Sequence, residues 1–168
     1  MQYSIGVEYA LHCLLLLIGM PPGASLGIRD IAAYLGTSDS YLSKVFTKLA
    51  KANIVSSMPG VKGGYQLARD PSEISFWDVV EAIEGTSPLF RCTEVRRDCV
   101  LFEGQEIPDY IQCSPCTIKE VMGEAEQQMR AYLQGHTLAW LLDSLKEKLP
   151  EEHQDATARW VRQALMRR

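Results

Sequence analysis

Apolar residues recur at helical spacing along most of the chain, and turn signals interrupt them at intervals. Val7, Ala10, Leu11, Leu14, Leu15 and Ile18 share a helical stripe that Leu16 and Leu17 widen nearly all the way round, predicting a buried first helix. Pro21-Pro22-Gly23 stops it, and Ile28, Ile31, Ala32 and Leu35 mark one face of a short second helix that Gly36-Thr37 ends. A third helix is predicted from about Ser38 to Ala52, with Leu42, Val45, Phe46, Leu49 and Ala50 facing inward. Two strands follow, near Ile54 to Met58 and Tyr65 to Ala68, joined by the glycine-rich hairpin Pro59-Gly60-Val61-Lys62-Gly63-Gly64.

Ser75-Phe76-Trp77-Asp78 has the form of a capping box and opens a fourth helix that runs through Ile83 and ends at Gly85. Regular patterning then lapses over residues 86–113, too long a stretch for a simple connection. Ser114-Pro115 predicts the start of a long helix, with serine capping and proline in the first helical position. Its narrow stripe, Ile118, Val121, Met122, Ala125, Met129, Tyr132 and Leu133, lies among charged and amide residues. Such a stripe calls for a partner helix, most economically its own copy in a symmetric dimer, the plainer reading being docking within one chain. A further helix from Thr137 to Lys148 and a helical tail around Ala156, Trp160, Ala164 and Leu165 complete the chain. The expected fold class is mainly α with a small β-hairpin wing. The expected organisation is a winged helix-turn-helix over 1–85, a cysteine-bearing sensor loop over 86–113, and a dimerisation helix with C-terminal helices over 114–168.

Composition narrows the function classes. With 17 Lys+Arg against 21 Asp+Glu in 168 residues, 46% apolar and 23% charged, the chain is neither a polycation nor a disordered polymer. Its most apolar run, Ala10 to Met20, is interrupted by His12 and is far short of the roughly 20 residues a membrane span needs. No basic leader precedes it, so a cytoplasmic protein without membrane association is expected. Charge is uneven: residues 26–70 hold six basic and three acidic groups, a local net of +3 within a chain of net -4.

The third helix explains that excess. Ser40, Ser43, Lys44, Thr47, Lys48 and Lys51 line its outer stripe with no acidic residue among them, where an ordinary solvated face would mix signs. A helix fits the major groove. Ser38, Ser40, Tyr41 and Ser43 near its N-terminus can bond base edges or phosphates, and the lysines can neutralise backbone charge. Lys62 at the hairpin tip would reach the minor groove, while Gly63 and Gly64 permit close approach to phosphate. No nucleophile–base pair or phosphate loop supports an enzyme. A ligand- or partner-binding module on the same scaffold is the alternative class.

Four of the five cysteines, Cys92, Cys99, Cys113 and Cys116, crowd into 25 positions, whereas Cys13 sits alone on an apolar helix and reads as a small buried hydrophobe. Clustered thiols in a reducing compartment point to metal or redox chemistry. Glu8 and His12, four apart on the first helix, share a face from which a carboxylate and an imidazole can address one metal centre, or can simply pair with each other. Cys113-Ser114-Pro115-Cys116 at a helix start also suits a metal-free dithiol switch, and with Cys92 and Cys99 a zinc site.

Ser4-Ile5-Gly6-Val7-Glu8-Tyr9-Ala10-Leu11, Tyr41-Leu42-Ser43-Lys44-Val45-Phe46-Thr47-Lys48-Leu49, Gly60-Val61-Lys62-Gly63-Gly64-Tyr65-Gln66-Leu67-Ala68-Arg69 and Val79-Val80-Glu81-Ala82-Ile83-Glu84-Gly85 together resemble the Rrf-two family of bacterial transcriptional regulators, which includes the IscR and NsrR types. The likeness covers roughly residues 1–145. It implies a homodimeric winged helix-turn-helix protein on a palindromic operator in double-stranded DNA, often a repressor, with many members sensing redox state, nitric oxide or iron-sulfur status through an iron-sulfur cluster (2Fe-2S or 4Fe-4S). By this resemblance Cys92 and Cys99 match the first two cluster ligands, and Cys116, within the dimerisation helix, or Cys113 the third. Glu8 or His12 of the other subunit is implied as a completing ligand. Pro59 stands where members commonly carry a basic residue before the wing glycine, and Lys119 where some use histidine.

Overall fold

A computed structural model of the chain describes residues 2–60 and 63–167. It divides into two compact units, residues 87–132 and residues 2–60, 63–86 and 133–167.

The larger unit begins with α1 (Ile5–Ile18), whose Val7, Ala10, Cys13, Leu14, Leu16 and Leu17 are buried. Cys13 is completely enclosed, and burial pushes its thiol up to about 12, as suits a small core hydrophobe. α2 (Ile28–Leu35) buries Ile31 and Ala32 and ends at Gly36, which takes the left-handed conformation at φ 63° that a tight exit from a helix requires. α3 (Asp39–Lys51) is capped by the Ser38 hydroxyl, which accepts the Tyr41 N–H at 3.2 Å, and buries Leu42, Val45, Phe46 and Leu49. Ala50, expected on the inner face, is exposed because it lies at the edge of that stripe.

β1 (Val55–Met58) pairs antiparallel with β2 (Gly64–Leu67), from Val55 opposite Leu67 to Met58 opposite Gly64. Leu26, ahead of α2, exchanges both backbone bonds with Tyr65, at 3.0 and 2.7 Å, and anchors the hairpin to the helices. Phe46 of α3 packs against the Tyr65 ring at 4.5 Å. α4 (Phe76–Glu84) starts with the expected capping box, the Ser75 hydroxyl accepting the Asp78 N–H while the Asp78 carboxylate accepts the Ser75 N–H at 2.7 Å.

Further along, α7 (Leu138–Lys148) and α8 (Glu151–Met166) return to this same unit. α7 packs against α1, and its fully buried Leu138 donates its N–H to the Ile74 carbonyl at 2.9 Å. α8 lies on α2: the Tyr34 and Trp160 rings stand 4.6 Å apart and the Tyr34 hydroxyl is 3.1 Å from that of Thr157. Val161 and Ala164 are buried with them, whereas Ala156 is exposed. The structure therefore groups residues 133–167 with the helix-turn-helix, where the sequence suggested one segment over 114–168.

The smaller unit holds the irregular segment, two turns of 3-10 helix at Val95–Asp98 and Val100–Phe102, the single-turn α5 (Asp109–Gln112), and most of α6 (Thr117–Gln134). No residue of α6 is buried. Among the described residues no helix is long and apolar enough to cross a membrane.

Candidate nucleic-acid interface and thiol site

Helix α3 presents the expected stripe, with differences that tertiary packing imposes. Ser40, Lys44, Thr47, Lys48 and Lys51 are exposed, and Ser43 is partly so. The Ser43 and Thr47 hydroxyls donate back along the helix to the carbonyls of Asp39 and Ser43, at 2.8 and 2.7 Å, leaving their lone pairs outward as acceptors. Tyr41 is half-buried, its ring edge-on to Tyr9 of α1 at 5.4 Å, so it braces the start of α3 on the first helix rather than standing free. The Lys48 ammonium donates to the Ile83 carbonyl at 2.6 Å, at the C-terminal end of α4 where the helix dipole favours a cation. Among the described residues, Lys44 and Lys51 make no such contact. Lys62 lies outside the described residues. Gly63 is irreplaceable on local geometry: a Cβ there would overlap the Met58 carbonyl oxygen and fall 2.7 Å from that of Gly60. Gly64 opens β2 opposite Met58.

Arg29, on the outer face of α2, is a basic group that the stripe analysis passed over. Its guanidinium reaches Asp39, the first residue of α3, at 3.7 Å while remaining 90% exposed, so it stands beside the recognition helix ready for an anion. The signal was available, since Arg29 falls between the inward positions Ile28 and Ile31.

In the smaller unit all four clustered cysteines are free thiols; Cys113 is exposed and Cys92, Cys99 and Cys116 are half-buried. The expected helix start differs. Ser114 does not cap α6; its hydroxyl donates to the Tyr110 carbonyl, closing the turn after α5, and α6 begins only at Thr117. Cys116 consequently precedes the helix instead of lying within it, and its carbonyl accepts the Glu120 N–H at 3.0 Å. The amide of Lys119 is the main influence holding the Cys116 thiol below its ordinary value; desolvation opposes it, and the Ile118 amide, the Cys92 thiol and the Arg96 charge add to it.

Arg96, which sequence reasoning missed, joins the two cysteine-bearing strands of this unit. It donates to the Ser114 carbonyl at 2.6 Å and pairs with Glu94 at 2.9 Å, while the Cys92 thiol donates to the same Glu94 carboxylate at 3.7 Å. An open cleft of about 700 Å3 beside it is lined by Arg96, Cys113, Cys116 and Lys119 among others. Cys99 lines a different cleft, with Arg97, Asp98 and Phe102.

Thiolate donors suit an iron-sulfur centre chemically, but in the described arrangement Cys116 has Cys92 as a neighbour and shares its cleft with Cys113, while Cys99 lines another. No three Cys, His, Asp or Glu side chains converge as a metal site among the described residues. Glu8 and His12 are both exposed on α1, and among the described residues no hydrogen bond or ion pair links them.

Comparison with known proteins agrees with this geometry. The family model "Rrf2: Iron-dependent Transcriptional regulator" matches residues 3–144. The chain is similar to the HTH-type transcriptional regulator NsrR of Geobacillus kaustophilus, 32% identical over 155 residues, covering 90% of this chain and 98% of that one. Among solved structures it is similar to T. potens IscR, with 23% identity, a TM-score of 0.66 and coverage of 89% and 92% of the two chains. It is likewise similar to the oxidized form of Staphylococcus aureus CymR, with 25% identity, a TM-score of 0.60 and coverage of 84% and 96%. The recognition helix, the hairpin wing and the match over 142 of 168 residues lead to one conclusion: the chain belongs to the Rrf2 family of DNA-binding transcriptional regulators and is not an enzyme.

Proposed function

We propose that the protein is a homodimeric, cytoplasmic repressor that reads a palindromic DNA operator with α3 and responds to redox or nitric-oxide signals through its loop thiols. The observation that carries the reading is the outer face of α3, where hydroxyls and the uncommitted lysines Lys44 and Lys51 stand together in an otherwise acidic chain. Two such helices, related by a two-fold axis, must sit about 34 Å apart to enter successive major grooves. The exposed α6 stripe, with Ile118 66% and Val121 59% accessible, supplies an apolar seam for that symmetry.

For sensing, Cys92, Cys99 and Cys116 are the residues that would hold an iron-sulfur cluster, which when bound supplies one-electron and nitric-oxide chemistry, with Cys113 and the Glu8–His12 face as further donors. Arg96 would hold the Cys92 and Cys116 strands together and offset negative charge on their thiolates. A cluster-free dithiol switch is the second reading, favoured by Cys116 having Cys92 as a neighbour and Cys113 in the same cleft, with Cys99 in another. Two tests follow. Selection from a random duplex library with the full-length protein should recover an inverted repeat, and recovery of no enriched sequence would refute the DNA reading. Iron and acid-labile sulfide analysis of anaerobically purified protein separates the sensing modes: both in stoichiometric amount support the cluster, neither supports the dithiol.

A further inference from the structure

The matched family region ends at residue 144, so α8 lies wholly beyond it. Its placement is nonetheless specific. Thr157 and Trp160 seat it on Tyr34 in the last turn of α2, and Val161 and Ala164 are buried beneath. Tyr34 is four residues ahead of Ser38, the cap of the recognition helix, so at most about 14 Å of chain separates the α8 contact from the end of α3 that enters the groove.

Charge along α8 is segregated. The acids Glu151, Glu152 and Asp155 occupy its first half, and from Ala156 onward the chain carries arginines and no acid. Arg159 and Arg162, one turn apart on the face away from Tyr34, are exposed and form no ion pair among the described residues. Neither lies in the last turn of α8, so the helix dipole has little claim on them, and two guanidinium groups so placed match phosphate oxygens in geometry and charge.

We infer that α8 is an additional DNA-binding element, in which Arg159 and Arg162 bind backbone phosphates flanking the major groove entered by α3. The inference rests on the DNA-binding reading above and extends the footprint outward from each half-site. It adds affinity and salt dependence but no base readout.

The test uses the full-length dimer and the duplex that the wild-type protein enriches from a random library. R159Q/R162Q is expected to weaken binding and to make the slope of log affinity against log salt shallower by about 1.8 per protomer, with sequence preference unchanged. R159K/R162K should restore most of the slope, since lysine keeps the charge. An unchanged affinity and slope in R159Q/R162Q overturns the inference. So does weaker binding with an unchanged slope, which would make α8 a brace only. Failure of the wild type to enrich any duplex would instead sink the DNA-binding reading itself.

Discussion

The ammonium of Lys48 sits 2.6 Å from the carbonyl of Ile83, tying the recognition helix to the last turn of α4, two residues before the glycine that ends it. Lys44, one turn earlier on the same face, has no such tie among the described residues. The two lysines therefore have separable roles. K44Q should lower the salt slope of duplex binding by about 0.9 per protomer while leaving stability unchanged. K48M should reduce unfolding free energy by about 1 kcal/mol, read by urea denaturation, because a charge-assisted bond at a partly exposed site is lost.

In the proposed assembly the dimer seam is α6. V121E, with I118E as a second variant, should convert the dimer to monomer in sedimentation velocity at unchanged helical content, because both side chains are already exposed in the single chain and burying a carboxylate at a dimer seam is costly. A V121E/I118E protein that stays dimeric would place the interface elsewhere.

Thiol reactivity should follow the environments. Cys116, held below the ordinary thiol value of 9.0, keeps a larger thiolate fraction near neutrality than a free cysteine, and its alkylation should fall off only as pH drops through that lowered value. R96Q removes the weakest of the influences that lower the Cys116 thiol and should slow its labelling only slightly at neutral pH. Cys13, buried and raised to about 12, should stay unlabelled until the chain unfolds. Peptide mass spectrometry after timed iodoacetamide exposure reads all of these.

In the wing, Gly63→Ala forces a Cβ into backbone oxygens and should weaken duplex binding while sparing the dimer. A substitution at Gly19, where a Cβ meets nothing within 4 Å, is the matched control, and binding at equal affinity by both variants would remove the wing from the interface.

What the sequence made legible is what local rules govern. The Ser75–Asp78 capping box, the exit at Gly36 and the four buried positions of α3 each depend on residues within a turn or two of one another. What it left out is non-local. Tyr41 has the right helical phase for the outer stripe, and that its ring also meets Tyr9, 32 positions earlier, no local pattern shows. Ser114 and Pro115 form a plausible cap, yet the Ser114 hydroxyl is committed to Tyr110 and its carbonyl to Arg96. Arg96 itself was visible only as one of two adjacent arginines between Cys92 and Cys99, with nothing local to tell which one would span to the other cysteine strand. The α8 seat on Tyr34 joins residues more than 120 positions apart, beyond the reach of periodicity.

The most direct measurement is the equilibrium affinity of the wild-type dimer and of K44Q/K51Q for the selected duplex between about 50 and 200 mM salt. Binding through α3 predicts a steep loss of wild-type affinity with salt and a slope shallower by about 3.6 for the doubly substituted dimer, two phosphates being released on each protomer. Equal slopes for the two proteins would contradict a recognition helix laid along the groove.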